Sequence, residues 1–230
     1  MYLRIRNLCG LLGVLLPWIA LFAAALKPDK HAQWWWSISA TYHQAPEALV
    51  GVLVPASIVL MSYIGYNRTD NIITTLTGLF GLGIVLFPCK VAWIPDGSPV
   101  GFFQLPIEFS QILHSGCAVL FFLCASINTL CQFTRHGETM TDQKKVRNVI
   151  YRICGWGMIG LLALLVFLNI RLGQGWWVMV IEIILLHLFG FAWLVKGEFF
   201  PFLNDKANGV VKERSASRSD DSEMRTEVND

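Results

Sequence analysis

Few side chains in this 230-residue chain can do chemistry, and most of them stand inside or beside long apolar runs. Glu182 lies about two helical turns into the run that begins at Trp176. His114 lies at a similar depth in another run, below Glu108 and Gln111, while Asn169 and Arg171 close a third. The segment 37–43 adds Ser37, Ser39, Tyr42 and His43. Ionisable groups within lipid-crossing segments are costly, so each one raises a functional question. The candidate ligand-contacting set is Ser39, His43, His114, Arg171 and Glu182. Three chemistries fit it. One is a buried hydrogen-bonded network in which Arg171 or His114 satisfies Glu182 and fixes helix register. Another is a pocket for a lipid headgroup or small solute, with Arg171 and the histidines contacting an anion. The third is a metal-dependent lipid hydrolase, in which His43 and His114, with His187 as an optional third ligand, bind zinc and a carboxylate such as Glu182 handles the proton. Glu182 and His187 are separated by about 140° around a helix, which argues against a shared centre. No metal ligand is therefore assigned, no cofactor is expected, and zinc belongs to the third reading alone. His187 reads as a packing histidine, and His31 and His136 as solvated loop residues. The chain has no Gly-rich phosphate cradle, nucleophile elbow or HExxH pattern. Catalytic residues stay unassigned, and binding rather than catalysis is the reading taken forward.

Those side chains need elements to position them. The chain is 54% apolar and 15% charged, whereas soluble domains run to roughly 45–50% and about 25%. The excess excludes a soluble enzyme and a secreted disulfide scaffold. A net charge of +2 gives no general attraction to nucleic acid. Apolar runs fall at roughly Leu8–Leu26, Ala48–Ile64, Ile72–Phe87, Phe109–Phe133, Val149–Ile170 and Trp176–Val195. The expected architecture is an all-α integral membrane bundle of six transmembrane helices over residues 1–203. Asn204–Asp230 carries twelve charged residues and is expected to be a disordered cytoplasmic tail. The third run is short, but Thr74, Thr75 and Thr77 can bond back to their own helix. Arg4 and Arg6 before the first run, with Ala23 and Ala25 near its end, imitate a signal peptide. At about 19 residues that run is longer than a signal peptide's usual apolar region, so a retained helix is expected.

Basic residues set the direction. Arg4 and Arg6, Arg68, the Arg135–Arg147 connection and the tail hold more of them than the alternate connections, which carry Lys27, Lys30, Lys90 and Arg171. Both termini are therefore expected in the cytoplasm, with membrane lipids as partners and the basic connection near anionic headgroups. Trp34, Trp35, Trp36, Trp93, Trp176 and Trp177 then fall at outer ends of spans, where indole rings prefer the headgroup layer. In the fourth span Ser110, His114, Cys117, Phe121, Cys124, Asn128 and Cys131 recur alternately four and three apart. This spacing predicts one packing seam. Thr77 and Gly81 predict a flat contact on the third span, and the six cysteines form no disulfide framework.

The stretch Ser37-Ile-Ser-Ala-Thr-Tyr-His43, with Ser62-Tyr-Ile-Gly-Tyr-Asn-Arg-Thr-Asp-Asn71, Phe87-Pro88 and His114-Ser-Gly-Cys-Ala-Val-Leu-Phe-Phe122, resembles a family of uncharacterised polytopic bacterial inner-membrane proteins. The resemblance implies a bundle of six or seven spans in that membrane. Ser39-x-x-x-His43 is also similar to the serine and histidine of the alkaline ceramidase and adiponectin-receptor superfamily, seven-span zinc amidases. That family further needs an HxxxH pair on its last span and an aspartate on its second. Here the last span has His187 followed by Phe191, and the second has no aspartate, so no zinc ligand is carried over.

Overall fold

The computed structural model describes residues 2–28, 31–65, 67–135 and 141–205. Lys30, His136 and the tail after Asp205 lie outside the described residues. Among the described residues the fold is all-α apart from one two-stranded ladder. Its helices are α1 (Tyr2–Ala25), α2 (Thr41–Gln44), α3 (Pro46–Met61), α4 (Arg68–Leu86), α5 (Ile107–Ile127), α6 (Asp142–Leu172) and α7 (Trp176–Lys196). Strands β1 (Pro99–Val100) and β2 (Leu105–Pro106) pair antiparallel in the connection before α5.

Five of these helices, all but α2 and α3, are long and apolar enough to cross a membrane. The second expected span is shorter: α3 has 16 residues, about 24 Å against about 30 Å of hydrocarbon. Pro46 opens it and has no N–H to continue a helix backward, so the four-residue α2 stands apart across Ala45. The third expected span is longer than the apolar run alone, because Asn67 caps α4 by accepting from the Asp70 amide at 3.0 Å. Thr74 and Thr77 donate to the carbonyls of Asp70 and Ile73 at 2.8 and 2.7 Å, so both hydroxyls are satisfied by their own helix.

Helices pack where small residues allow it. A Cβ on Gly190 would come within 2.6 Å of the Gly10 carbonyl oxygen, and one on Gly10 within 2.8 Å of the Leu194 amide, so α1 and α7 meet almost backbone to backbone. Gly78 and Gly81 let α4 close on Ser57 and Met61 of α3, and Gly83 seats Cys117 of α5. Most of the predicted seam on α5 does pack: Ser110, His114, Phe121 and Asn128 are buried. It fails at Cys131, which is exposed. The chain makes a π-helical turn over Asn128–Phe133, and its wider winding rotates Gln132 and Phe133 inward in place of Cys131.

Phe133, Tyr151, Tyr63 and Trp193 then form an aromatic core at one end of the bundle. Arg6 is buried there, donating to the Tyr63 hydroxyl at 2.9 and 3.1 Å. Lys144 donates to the Phe133 carbonyl at 2.8 Å. Arg147 holds the Leu203 carbonyl and the Asp205 carboxylate, so the first residues of the expected tail are fixed against α6. The outer face of α6 is bare: Trp156 and Ile170 are 65% and 77% exposed. Such a contiguous apolar surface needs lipid or another helix to cover it.

Candidate polar cavity

The site lies at the bundle end away from Arg6 and Lys144. Two contacts lay the segment before α2 onto the start of α7. The Met179 amide donates to the Trp36 carbonyl at 2.9 Å, and the Ile38 amide donates to Glu182 Oε2 at 2.6 Å. Glu182 therefore clamps a loop, and the clamp places Ser39 over the mouth of the space between α5, α6 and α7. The connection after α4 is tied down from the other side. Gln111 accepts from the Lys90 amide at 2.5 Å, Ser110 donates to the Pro88 carbonyl at 2.8 Å, and the Lys90 ammonium pairs with Asp96 at 2.6 Å.

His114 is the hub. Its Nδ1 lies 2.7 Å from the Phe87 carbonyl and 3.1 Å from that of Ile84. Carbonyls only accept, so Nδ1 carries the proton. The other nitrogen, Nε2, faces Ser39 Oγ at 3.1 Å, and in the neutral ring it accepts the Ser39 hydroxyl proton. Ser39 Oγ also stands 3.4 Å from Glu182 Oε1. One chain of contacts thus joins the end of α4, α5, the loop before α2, and α7.

Behind this chain is a cavity of about 370 Å³. Its upper wall holds Ser39, Gln111, His114, Asn169 and Glu182, and its lower wall is apolar, with Val119 and Phe122 of α5, Leu162 and Leu165 of α6, and Leu185 of α7. It continues into a second hollow that shares Lys90, Gln111, Ser115, Asn169 and Gln174. The polar-over-apolar order follows from helix geometry. The five apolar residues named sit about one turn or more deeper than the polar residue on the same helix, while Val178 and Ile170 line the mouth.

The five candidate residues part company here. Ser39, His114 and Glu182 come together on the cavity wall. His43 does not face the cavity. Its Nε2 lies 2.7 Å from the Cys89 carbonyl, and its ring meets Trp93 edge-on. Arg171 is exposed and lies over the Phe167 ring at 5.7 Å, outside the cavity lining and out of contact with Glu182. The α6 backbone turns at Gly173, whose φ of +75° suits glycine, and Arg171 falls on the outward side of that last turn. His187 packs away from the site, accepting from Trp18 Nε1 at 3.1 Å with Nδ1 on the Ile183 carbonyl at 2.7 Å. Among the described residues no group of three or more His, Cys, Asp or Glu stands where it could hold a metal ion. Sequence reasoning missed Lys90 and Gln174, whose connections carry no periodicity, and the apolar wall, because nothing in an apolar run marks which face meets a void.

Burial holds the His43 imidazole below its ordinary pKa, against the opposing effect of the Cys89 carbonyl. The folded state therefore prefers neutral His43. Its contribution to stability is present above the unfolded value of about 6.5 and is lost as the pH falls through the lower folded value. Thermal unfolding in nanodiscs at pH 7.5 and 5.0 should show the loss on acidification reduced in His43→Gln. An unchanged difference between the two pH values would show that His43 does not titrate with folding.

The fold and this site define a class, an all-helical multi-pass membrane protein with a polar cavity at one end of its bundle. No family model, no curated protein and no solved structure matches the chain.

Proposed function

We propose that this protein binds a lipid or small solute in the cavity bounded by α5, α6 and α7, as a six-span protein of the bacterial inner membrane with both termini in the cytoplasm. The observation that carries the binding reading is the cavity itself, polar where Ser39, His114 and Glu182 meet and apolar below. An amphiphile has the same division. Support for six spans comes from α3, which packs between α1 and α4. It falls short of the hydrocarbon thickness by only about four residues, a mismatch that local thinning of the bilayer accommodates. Support for the orientation comes from charge. Arg6, Lys144, Arg147 and Lys196 gather at the end opposite the cavity, and retained basic residues face the cytoplasm.

The test joins orientation to occupancy. A membrane-impermeant maleimide added to intact cells should label the Ser115→Cys variant, altered at the cavity mouth, more strongly than the parent. Native mass spectrometry should show a bound molecule that is removed by Ala118→Phe, since Ala118 of α5 lines the cavity and the larger ring would fill it. Extra labelling that appears only after permeabilisation would reverse the orientation. A bare protein mass for both the parent and the Ala118→Phe variant would overturn binding.

A further inference from the structure

Two acceptors on the cavity wall, the Glu182 carboxylate and the buried, unpartnered Asn169 Oδ1, identify what it would hold. The Glu182 carboxylate lines the cavity, and the Ile38 and Ser39 amides address it from the loop. A carboxylate accepts at about four lone-pair sites, so two amides leave capacity on the cavity side. The Ser39 hydroxyl has a single proton, and His114 Nε2, which has no proton of its own in the tautomer fixed by the Phe87 and Ile84 carbonyls, takes it. That hydroxyl lies nearer Nε2, at 3.1 Å, than Oε1, at 3.4 Å, which leaves Oε1 the less fully met acceptor. Among the described residues no lysine or arginine pairs with Glu182. Lys90, the basic residue on the lining, is engaged by Asp96 at 2.6 Å and approaches Glu108 at 3.9 Å, and Arg171 lies over Phe167. A second acceptor, Asn169 Oδ1, is buried on the same wall with no partner. A part-buried carboxyl keeps its charge only where a cation, or donors that match its lone pairs, meets it, and otherwise takes up a proton.

We propose that the cavity takes a primary ammonium group carried on an apolar tail, with the N–H donors meeting Glu182 and Asn169 and the tail lying on Val119, Phe122 and Leu165. This deepens the binding reading and rests on it. It also reverses the sign that the sequence suggested, because the cation expected to attract an anion, Arg171, is not on the wall. Trp36 and Trp93 also line the cavity. The amine has two possible sources, a lipid headgroup of the ethanolamine kind or a free alkylamine.

The experiment uses the full chain in nanodiscs of phosphatidylglycerol, which has no amine. Saturation-transfer NMR compares hexylammonium, hexanol and hexanoate, which share a tail and differ in charge. Hexylammonium should bind at least about tenfold more tightly than hexanol, as expected for one charge-assisted hydrogen-bonded pair, and hexanoate more weakly than either. Glu182→Gln keeps an oxygen for the Ile38 amide and should abolish the preference while leaving hexanol binding in place. Equal binding of hexylammonium and hexanol, or a preference that survives Glu182→Gln, overturns the ammonium assignment and leaves the cavity as a general apolar site. No binding of any probe overturns the binding reading and the assignment with it. Replacing the lipid by phosphatidylethanolamine separates the sources. Displacement of hexylammonium assigns the site to the headgroup, and undiminished binding assigns it to a free amine.

Discussion

Gly190→Val should lower the melting temperature of the detergent-solubilised protein by about 10 °C, the largest change expected from a single methyl-bearing substitution. The reason is the α1–α7 crossing. A Cβ at position 190 meets the Gly10 carbonyl oxygen at 2.6 Å and the Val14 amide nitrogen at 2.8 Å. These are backbone atoms of a helix and cannot rotate aside, so the two helices must separate along the contact. Overpacking of this kind costs about 3 kcal/mol, and each kcal/mol shifts the midpoint by roughly 2–4 °C in a chain of this size. Gly160→Val, where a Cβ meets nothing within 4 Å, supplies the control and should move the midpoint by no more than about 2 °C. Equal melting of the two variants would mean that α1 and α7 do not approach as closely as described.

His114→Ala should destabilise the fold by about 3 kcal/mol. The imidazole answers the carbonyls of Phe87 and Ile84 through one nitrogen and Ser39 through the other, and it is buried. Removing it leaves these groups without a partner and adds empty volume, each of which costs on the order of 1–3 kcal/mol. His114→Phe restores the volume but no hydrogen bond, so it should recover only part of the loss. The calorimetric midpoint orders the three proteins as parent, phenylalanine variant, alanine variant. An alanine variant that melts with the parent would remove His114 from the centre of the network. Hydrogen exchange at the Ile38 amide gives a second readout. It should stay slow in His114→Ala, where Glu182 still holds the loop, and become fast in Glu182→Ala.

The positions of the helices were legible because lipid and helix geometry impose long-range regularity on composition. Runs of about 20 apolar residues mark spans whatever they pack against, and five of the runs read from the chain overlap α1, α4, α5, α6 and α7, of which α1 and α6 begin six and seven residues earlier. The second run also forms a helix, but α3 ends at Met61, and its length falls short of what the apolar count suggested. The seam on α5 was legible for the same reason until the π-helical turn at Asn128–Phe133, since periodicity assumes constant winding and carries no sign of an added residue. The small-residue contact at Thr77 and Gly81 could be read from one helix, whereas its partner Ser57 could not.

The site divides along similar lines. Glu182 and His114 stood out because each is polar where lipid makes polarity costly, and residue type with depth located both without any coordinates. Their connection through Ser39 depended on a loop laid back over α7 by the Trp36 carbonyl and the Ile38 amide, contacts made by backbone groups that every residue carries and no sequence distinguishes. Arg171 shows the limit from the other direction. The chain determined its depth, and the angle of the last α6 turn before Gly173 decided that it faces outward. By itself the sequence determined which segments are apolar helices, which end holds the basic residues and at what depth the ionisable groups lie, because all three follow from composition and a fixed rise per residue. Only the tertiary structure decided which of those groups share a wall. That depends on rotation about each helix axis, and a single residue of extra winding changes the facing by about 100°.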